Sequence, residues 1–307
     1  MLLKVFIGIA LITLVAVPLA ACQGPQPAPA PGEPEGPETI TFPDENLDTA
    51  IRDALGKTAG EEITVAELAT LTTLAAESSD IADLSGLEYC TGLTELWLML
   101  NQISDITPLS NLTSLTDLYL GNNRISDTSP VENLTNLTLL DLSRNQISDL
   151  SSLSNLTGLT DLWLHGNQIS DLSPVQNLTG LIELSLMANQ ISDITPLSNL
   201  TSLDTLFLDG NQISDISALQ NLTSLTILYL DGNLISDISS LSNLTNLFVL
   251  SLTENRISDI SPLVENSGLG TGDAVSLFGN NLDLGDGSAD MENIRALEDR
   301  GVAVSVE

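Results

Sequence analysis

The side chains able to do chemistry are few, and most recur at one spacing. Aspartates stand at 105, 127, 149, 171, 193, 215, 237 and 259, each 22 residues from the next. A carboxylate ladder of this kind could line up calcium ions. It is also what a repeated turn makes when an Asp accepts backbone N–H groups at the start of each return segment, in the manner of an N-cap. One Asp at constant phase is what a structural repeat generates, so the ladder reads as turn carboxylates and no metal is expected. His165 is the only histidine, and one histidine cannot build a multi-histidine metal site. Neither a positioned nucleophile beside it nor a Gly-rich phosphate loop is evident. No catalytic residue and no cofactor is expected. A second set of residues shares the 22-residue spacing: Trp97, Tyr119, Asp141, Trp163, Ser185, Phe207, Tyr229 and Ser251. This column holds both tryptophans and two of the three tyrosines of the chain. Glu95, Asp117, Asp161 and Glu183 lie two residues before it, and Met99, His165, Asp209 and Asp231 two residues after. Exposed apolar stripes mark interaction sites, and Trp and Tyr are the usual anchors of interfaces. These residues form the expected partner-binding set.

The elements that position them follow from the repeat, L-x-x-L-x-L-x-x-N-x-I-S-D-I-x-P-L-x-N-L-T-x, of which there are eight regular copies over residues 93–268. This is a leucine-rich-repeat signature. Alternating Leu-x-Leu makes a short strand with both leucines on one face. Asn101, Asn123, Asn145, Asn167, Asn189, Asn211, Asn233 and Asn255 follow the strands. Their amides suit a turn that must satisfy neighbouring backbone groups. About half of each copy remains for the return, which favours 3₁₀ or extended turns over an α-helix. The expected fold is an α/β solenoid: a horseshoe with short parallel strands on its concave face and 3₁₀ or extended turns on its convex face. The residues between the strand leucines then face the concave side. An eroded copy precedes the regular ones, so the solenoid is expected over 71–270. Its ends need caps, because each copy buries its core against its neighbours. Residues 41–70 supply a helical cap, with Asp44 as N-cap and Gly56 as its end. Residues 271–307 supply a further repeat, a helix over 289–300 and a strand with Val302, Val304 and Val306. Cys90 falls in a core-leucine phase and is expected to be buried and inert. The recurring Asn-Leu-Thr matches a glycosylation sequon, which repeat register accounts for.

Composition excludes several functions. Of 307 residues, 41 are Asp or Glu and 8 are Lys or Arg, for a net charge of −33. Nucleic-acid binding needs basic patches on phosphate, and an anionic membrane surface would repel the chain. Residues 1–21 combine Lys4, an apolar run and small residues before a break, as a signal peptide does. Leu19-Ala20-Ala21-Cys22 resembles the lipobox of bacterial lipoproteins. The resemblance implies cleavage before Cys22 and lipidation of its thiol and new amino terminus, which would be the sole membrane contact. The Pro-rich stretch 22–40 reads as an extended spacer. Glu307 is followed by no wall-sorting tail, so anchoring in the cell envelope is expected to rest on Cys22.

The cap sequence TFPDENLDTAIRDALGK, the segment ITVAELATLTTL and the NQISDITPLSNLT repeats together resemble the internalin family of bacterial surface proteins over about residues 40–265. That resemblance implies a bacterial surface protein. With the aromatic stripe and no catalytic set, the expected function is non-enzymatic: a surface-anchored protein that uses its concave face for protein–protein interaction or adhesion. The acidic columns imply a partner with a basic or apolar surface. A glycan stacked on the aromatic stripe is the alternative, and an envelope protein without a discrete ligand is another.

Overall fold

The computed structural model describes residues 38–306. The expected signal peptide, Cys22 and most of the spacer lie outside the described residues.

Eleven strands form one parallel sheet in chain order. They are Thr73–Ala75 (β3), Glu95–Trp97 (β4), Asp117–Tyr119 (β5), Leu139–Asp141 (β6), Asp161–Trp163 (β7), Glu183–Ser185 (β8), Thr205–Phe207 (β9), Ile227–Tyr229 (β10), Val249–Ser251 (β11), Ala274–Ser276 (β12) and Ala303–Ser305 (β13). Two strands before them, Thr39–Ile40 (β1) and Ile63–Thr64 (β2), pair antiparallel. Register is fixed by the repeat: Leu96, Leu118, Leu140, Leu162, Leu184, Leu206, Leu228 and Leu250 stand side by side and are buried. The chain returns through 3₁₀ turns such as Thr107–Leu109 and Ser151–Leu153; Leu109 and Leu153, with Ile106 and Leu150 just before the turns, close the core from the other side. A full α-helix would need more residues than the return has.

The Asn ladder explains how the turn after each strand is satisfied. Asn145 Oδ1 accepts the Ile125 N–H at 2.9 Å, and its Nδ2 donates to the Leu120 and Leu142 carbonyls at 3.0 and 3.1 Å. One side chain therefore stitches a repeat to the one before it. The pattern recurs through Asn255 and crosses the three-residue insertion to Asn280, which accepts from Ile257 and donates to Leu252 and Leu277. Every described residue just before a ladder Asn, from Leu100 to Gly279, has a positive φ. Glycine occupies that phase at 166, 210, 232 and 279, while Leu100 sits there at φ 59°. A left-handed leucine costs roughly 1–2 kcal/mol.

The convex aspartates act one step earlier than an N-cap. Asp105 Oδ1 accepts the Thr107 N–H at 2.8 Å, and Asp259 the Ser261 N–H at 2.8 Å, in an Asx turn placed before the 3₁₀ segment. The residue that formally caps each of those turns is Ile106 or its equivalent, whose side chain makes no capping hydrogen bond. Hydrogen bonds from the side chain and backbone of the residue two positions on hold Asp105, Asp149, Asp171 and Asp193 below the ordinary carboxylate range. No cluster of three or more metal-capable side chains occurs among the described residues.

Both ends of the core are covered. A helix over Glu45–Leu55 (α1) starts at Asp44, whose Oδ1 accepts from Asn46 and Leu47, and ends at left-handed Gly56. Asp44 Oδ2 reaches on to the N–H groups of Ala82 and Asp83, at 2.8 and 3.2 Å, and so ties the cap to the first repeat. A short helix, Val65–Leu68 (α2), is held by a reciprocal capping box between Thr64 and Glu67. The cap begins earlier than the composition suggests. Thr39 and Ile40, assigned to the spacer by their proline-rich surroundings, pair with β2. At the other end, Ser261–Glu265 (α3) and Ala289–Asp299 (α4) close the stack. Arg300 donates to the Leu263, Val264 and Asn266 carbonyls, each at 3.1 Å, which satisfies the end of α3. No helix of the described residues is long and apolar enough to cross a membrane.

Cys90 is fully buried. Burial, and secondarily the Glu88 charge, push its thiol up to about 12.

Candidate partner-binding face

Each strand presents its middle leucine to the core and its two outer residues to the concave side. The sheet therefore sets Glu95, Asp117, Leu139, Asp161 and Glu183 in one row and Trp97, Tyr119, Asp141, Trp163 and Ser185 in the next. Met99 and His165 follow in the row beyond, half-buried.

The aromatic residues do not make one continuous stripe. They form two clusters. Trp97 stacks on Tyr119 with ring centroids 4.5 Å apart, and Tyr119 approaches Trp163 at 6.3 Å. Phe207 and Tyr229 form the second cluster at 5.4 Å. Buried Ser185 separates them. All five rings are half-buried, so each offers one face or edge to a partner.

Asp141, expected on the exposed face, is buried, with 4% of its surface accessible. Its strand lies between those of Tyr119 and Trp163. Strands two apart are separated by about 9.6 Å at ordinary spacing, yet the two rings are 6.3 Å apart. They lean toward each other across the Asp141 position. Ser143 N–H donates to Asp141 Oδ1 at 2.9 Å. Trp163 Nε1 points the other way and donates to Glu183 Oε1 at 2.9 Å. Burial, and then the charges of Asp117, Glu95, Asp141 and Asp161, raise the Tyr119 hydroxyl above its ordinary range, so it stays protonated. His165 Nδ1 lies 3.3 Å from Ser185 Oγ. Burial lowers the His165 pKa; Asp141 opposes that shift and Arg144 adds to it. The imidazole is therefore neutral at pH 7.

The second half of the face carries a different acid pair. Asp209 is opposed across one strand spacing by Asp231. Asp231 Oδ1 accepts from Ser251 Oγ and Thr253 N, both at 2.6 Å, and Asp209 Oδ1 accepts from Asp231 N at 3.2 Å. Asp209 Oδ2 is buried without a partner. Burial, then the adjacent Asp231 charge, push the Asp209 carboxyl up to about 6.

Two features were not legible in the sequence. Leu100 is 53% exposed and rims a shallow depression of about 230 Å³ with Met99, Gly121, Asn122, Asp141, Ser143, Arg144 and His165. The one signal in the sequence is a large apolar residue in a phase that elsewhere holds Gly, Asn, Arg, Ala or Glu. A larger depression, about 480 Å³, lies against the cap, where Asn46, Thr49, Ala50 and Asp53 face Thr73, Ala75 and Ser79. Its only charged lining residue is Asp53, whereas the concave depression brings Asp141, Arg144 and His165 together, so the concave depression is the better candidate.

Sheet, turns and repeat together define a leucine-rich-repeat solenoid. The family profile for leucine-rich repeats in two copies matches seven overlapping stretches, 91–133, 113–155, 135–177, 157–199, 179–221, 201–243 and 223–265. No curated protein matches the sequence. Among solved structures, internalin C2 of Listeria monocytogenes is similar at 43% identity and TM-score 0.66, over 67% of this chain and 92% of its own. An internalin from the same organism, InlF, is similar at 37% identity and TM-score 0.61, over 87% of this chain and 91% of its own. The ectodomain of the Arabidopsis thaliana receptor kinase GASSHO1/SCHENGEN3, in complex with CASPARIAN STRIP INTEGRITY FACTOR 2, is similar at 28% identity and TM-score 0.56. That match spans 64% of this chain and 25% of the receptor chain. The chain belongs to the leucine-rich-repeat proteins and is of internalin type.

Proposed function

We propose that the chain is an extracytoplasmic protein, anchored by lipid on Cys22, that holds a protein partner on its concave face. The observation that carries this reading is the Trp97–Tyr119–Trp163 cluster, half-buried and flanked by Glu95, Asp117, Asp161 and Glu183. Rings of this kind lose little conformational entropy on binding and contribute most where water is excluded. The carboxylates favour a partner with a basic or apolar surface and speed its approach. A similar receptor ectodomain in complex with CASPARIAN STRIP INTEGRITY FACTOR 2 supports a binding role for such solenoids. Phe207, Tyr229, Asp209 and Asp231 extend the face toward the carboxyl-terminal cap.

The test is capture of extracellular proteins and of a glycan panel by the full chain, beside a Trp97→Ala, Tyr119→Ala, Trp163→Ala variant. Protein capture lost in the variant supports the reading. Capture that survives high salt but is competed by free glycan replaces it with carbohydrate binding. Capture unchanged in the variant moves the site off the concave face.

A further inference from the structure

We infer that Asp141 is a receptor for one organic cation, the guanidinium or ammonium end of a basic side chain on the partner. The inference rests on the concave-face reading and sharpens it to a single anchor.

Asp141 interrupts the aromatic column at the position where Tyr119 and Trp163 converge, and it is 96% removed from solvent. Only Oδ1 receives a protein donor among the described residues, the Ser143 N–H. Oδ2 lies over the backbone of Gly121: a Cβ there would come within 2.5 Å of it and within 2.8 Å of Ser143 Oγ. The missing side chain at Gly121 thus lets the carboxylate lie against the backbone, and both residues line the depression rimmed by Met99, Leu100, Asn122, Arg144 and His165. A charged donor reaching that oxygen from the depression would make a charge-assisted hydrogen bond beside a side chain otherwise removed from water.

The surroundings select the donor. Two aromatic rings beside a carboxylate favour an organic cation, through ring faces and charge together. Glu95, Asp117 and Asp161 add negative charge from the adjoining row, as their effect on Tyr119 shows. Arg144 is the one cation lining the depression, and it makes no ion pair with Asp141 among the described residues. His165 is neutral at pH 7 and contributes no positive charge. A metal ion fits poorly, since the depression offers a single carboxylate, short of the oxygen ligands that hard cations need.

His165 lines the same depression and is the only histidine of the chain, so its imidazole resonances report on the site alone. The experiment titrates N-acetyl-argininamide into the full, untagged chain and follows those resonances by NMR, with neutral N-acetyl-citrullinamide as control. A saturable shift with the cation and none with citrullinamide is expected. Asp141→Asn, which keeps an oxygen for the Ser143 N–H, should bind about tenfold more weakly, the scale of one charge-assisted hydrogen bond. Gly121→Ala keeps the Asp141 charge but puts a methyl 2.5 Å from the present position of Oδ2, so the carboxylate must shift and binding should also weaken; it decides the matter if Asp141→Asn fails to fold. Equal shifts with citrullinamide, no saturable shift with the cation, or undiminished binding in a folded Asp141→Asn variant overturns the inference. Cation binding without partner capture supports this site while the protein-binding reading fails. Partner capture dependent on the aromatic triad without cation binding leaves that reading standing and removes this one.

Discussion

The two halves of the concave face are built from the same repeat and hold their acids differently. In the first half, Asp141 sits alone under two converging rings, with Gly121, Ser143 and His165 in the row beyond. In the second, Asp209 and Asp231 occupy that further row in consecutive repeats and face each other. A solenoid gives each residue two fixed neighbours, those 22 positions before and after. The chemistry of a side chain is therefore set by what the adjacent repeats carry at the same phase. An aromatic pair around a carboxylate makes a receptor, and a carboxylate beside a carboxylate makes a proton-holding pair.

Cutting the stitch between the halves should have the largest effect. Asn167 Nδ2 donates to Leu142 and Leu164 and its Oδ1 accepts from Ile147, all at 3.0 Å. Asn167→Ala orphans three buried backbone groups at about 1–3 kcal/mol each. A loss of roughly 3 kcal/mol or more is expected in urea unfolding, with the two halves separating into distinct transitions. Cys90, in a Cys22→Ser background, reports the first half: its thiol should react with a thiol reagent only as that half opens. Reaction at native conditions, or one cooperative transition at unchanged midpoint, would contradict the stitch.

A smaller effect is expected in the second half alone. Asp209 titrates near 6 when folded, against 3.8 ordinarily. The folded chain therefore holds an extra proton between those values. Stability falls as pH rises through that window and is lowest above it. Asp209→Asn removes the penalty and should raise Tm at pH 7 by about 2–4 °C, with no gain at pH 4. A Tm gain of the same size at both pH values would show that charge is not the cause.

The smallest effect sharpens the first half. The His165 midpoint should lie below 6.5 in an NMR titration, and Asp141→Asn should lower it further, because the Asp141 charge is what opposes the burial shift. A midpoint unmoved by Asp141→Asn would place the two groups out of electrical contact.

Particular residues mark where sequence reading stops. The phase of Asn145 and Leu140 follows from repetition, and so do the caps at Asp44 and Gly56, because each depends on a local pattern. Trp97, Tyr119 and Trp163 were placed on one face for the same reason. Their convergence over Asp141 could not be read, since it depends on ring rotamers and on how far strands two apart approach. The spacing puts Asp209 and Asp231 in the partner-binding set, but does not give their half-burial or the hydrogen bond from Asp231 N–H to Asp209. Thr39 and Ile40 were assigned to the spacer because their pairing with Ile63 and Thr64 spans a helix.

By itself, the sequence determined the solenoid, its register, its core and the residues of its concave face, because a 22-residue period leaves one way to bury the leucines. The tertiary structure decided which of those residues touch, which carboxylates are buried and which keep a free oxygen. Those outcomes depend on side-chain conformation across neighbouring repeats, which a linear period does not encode.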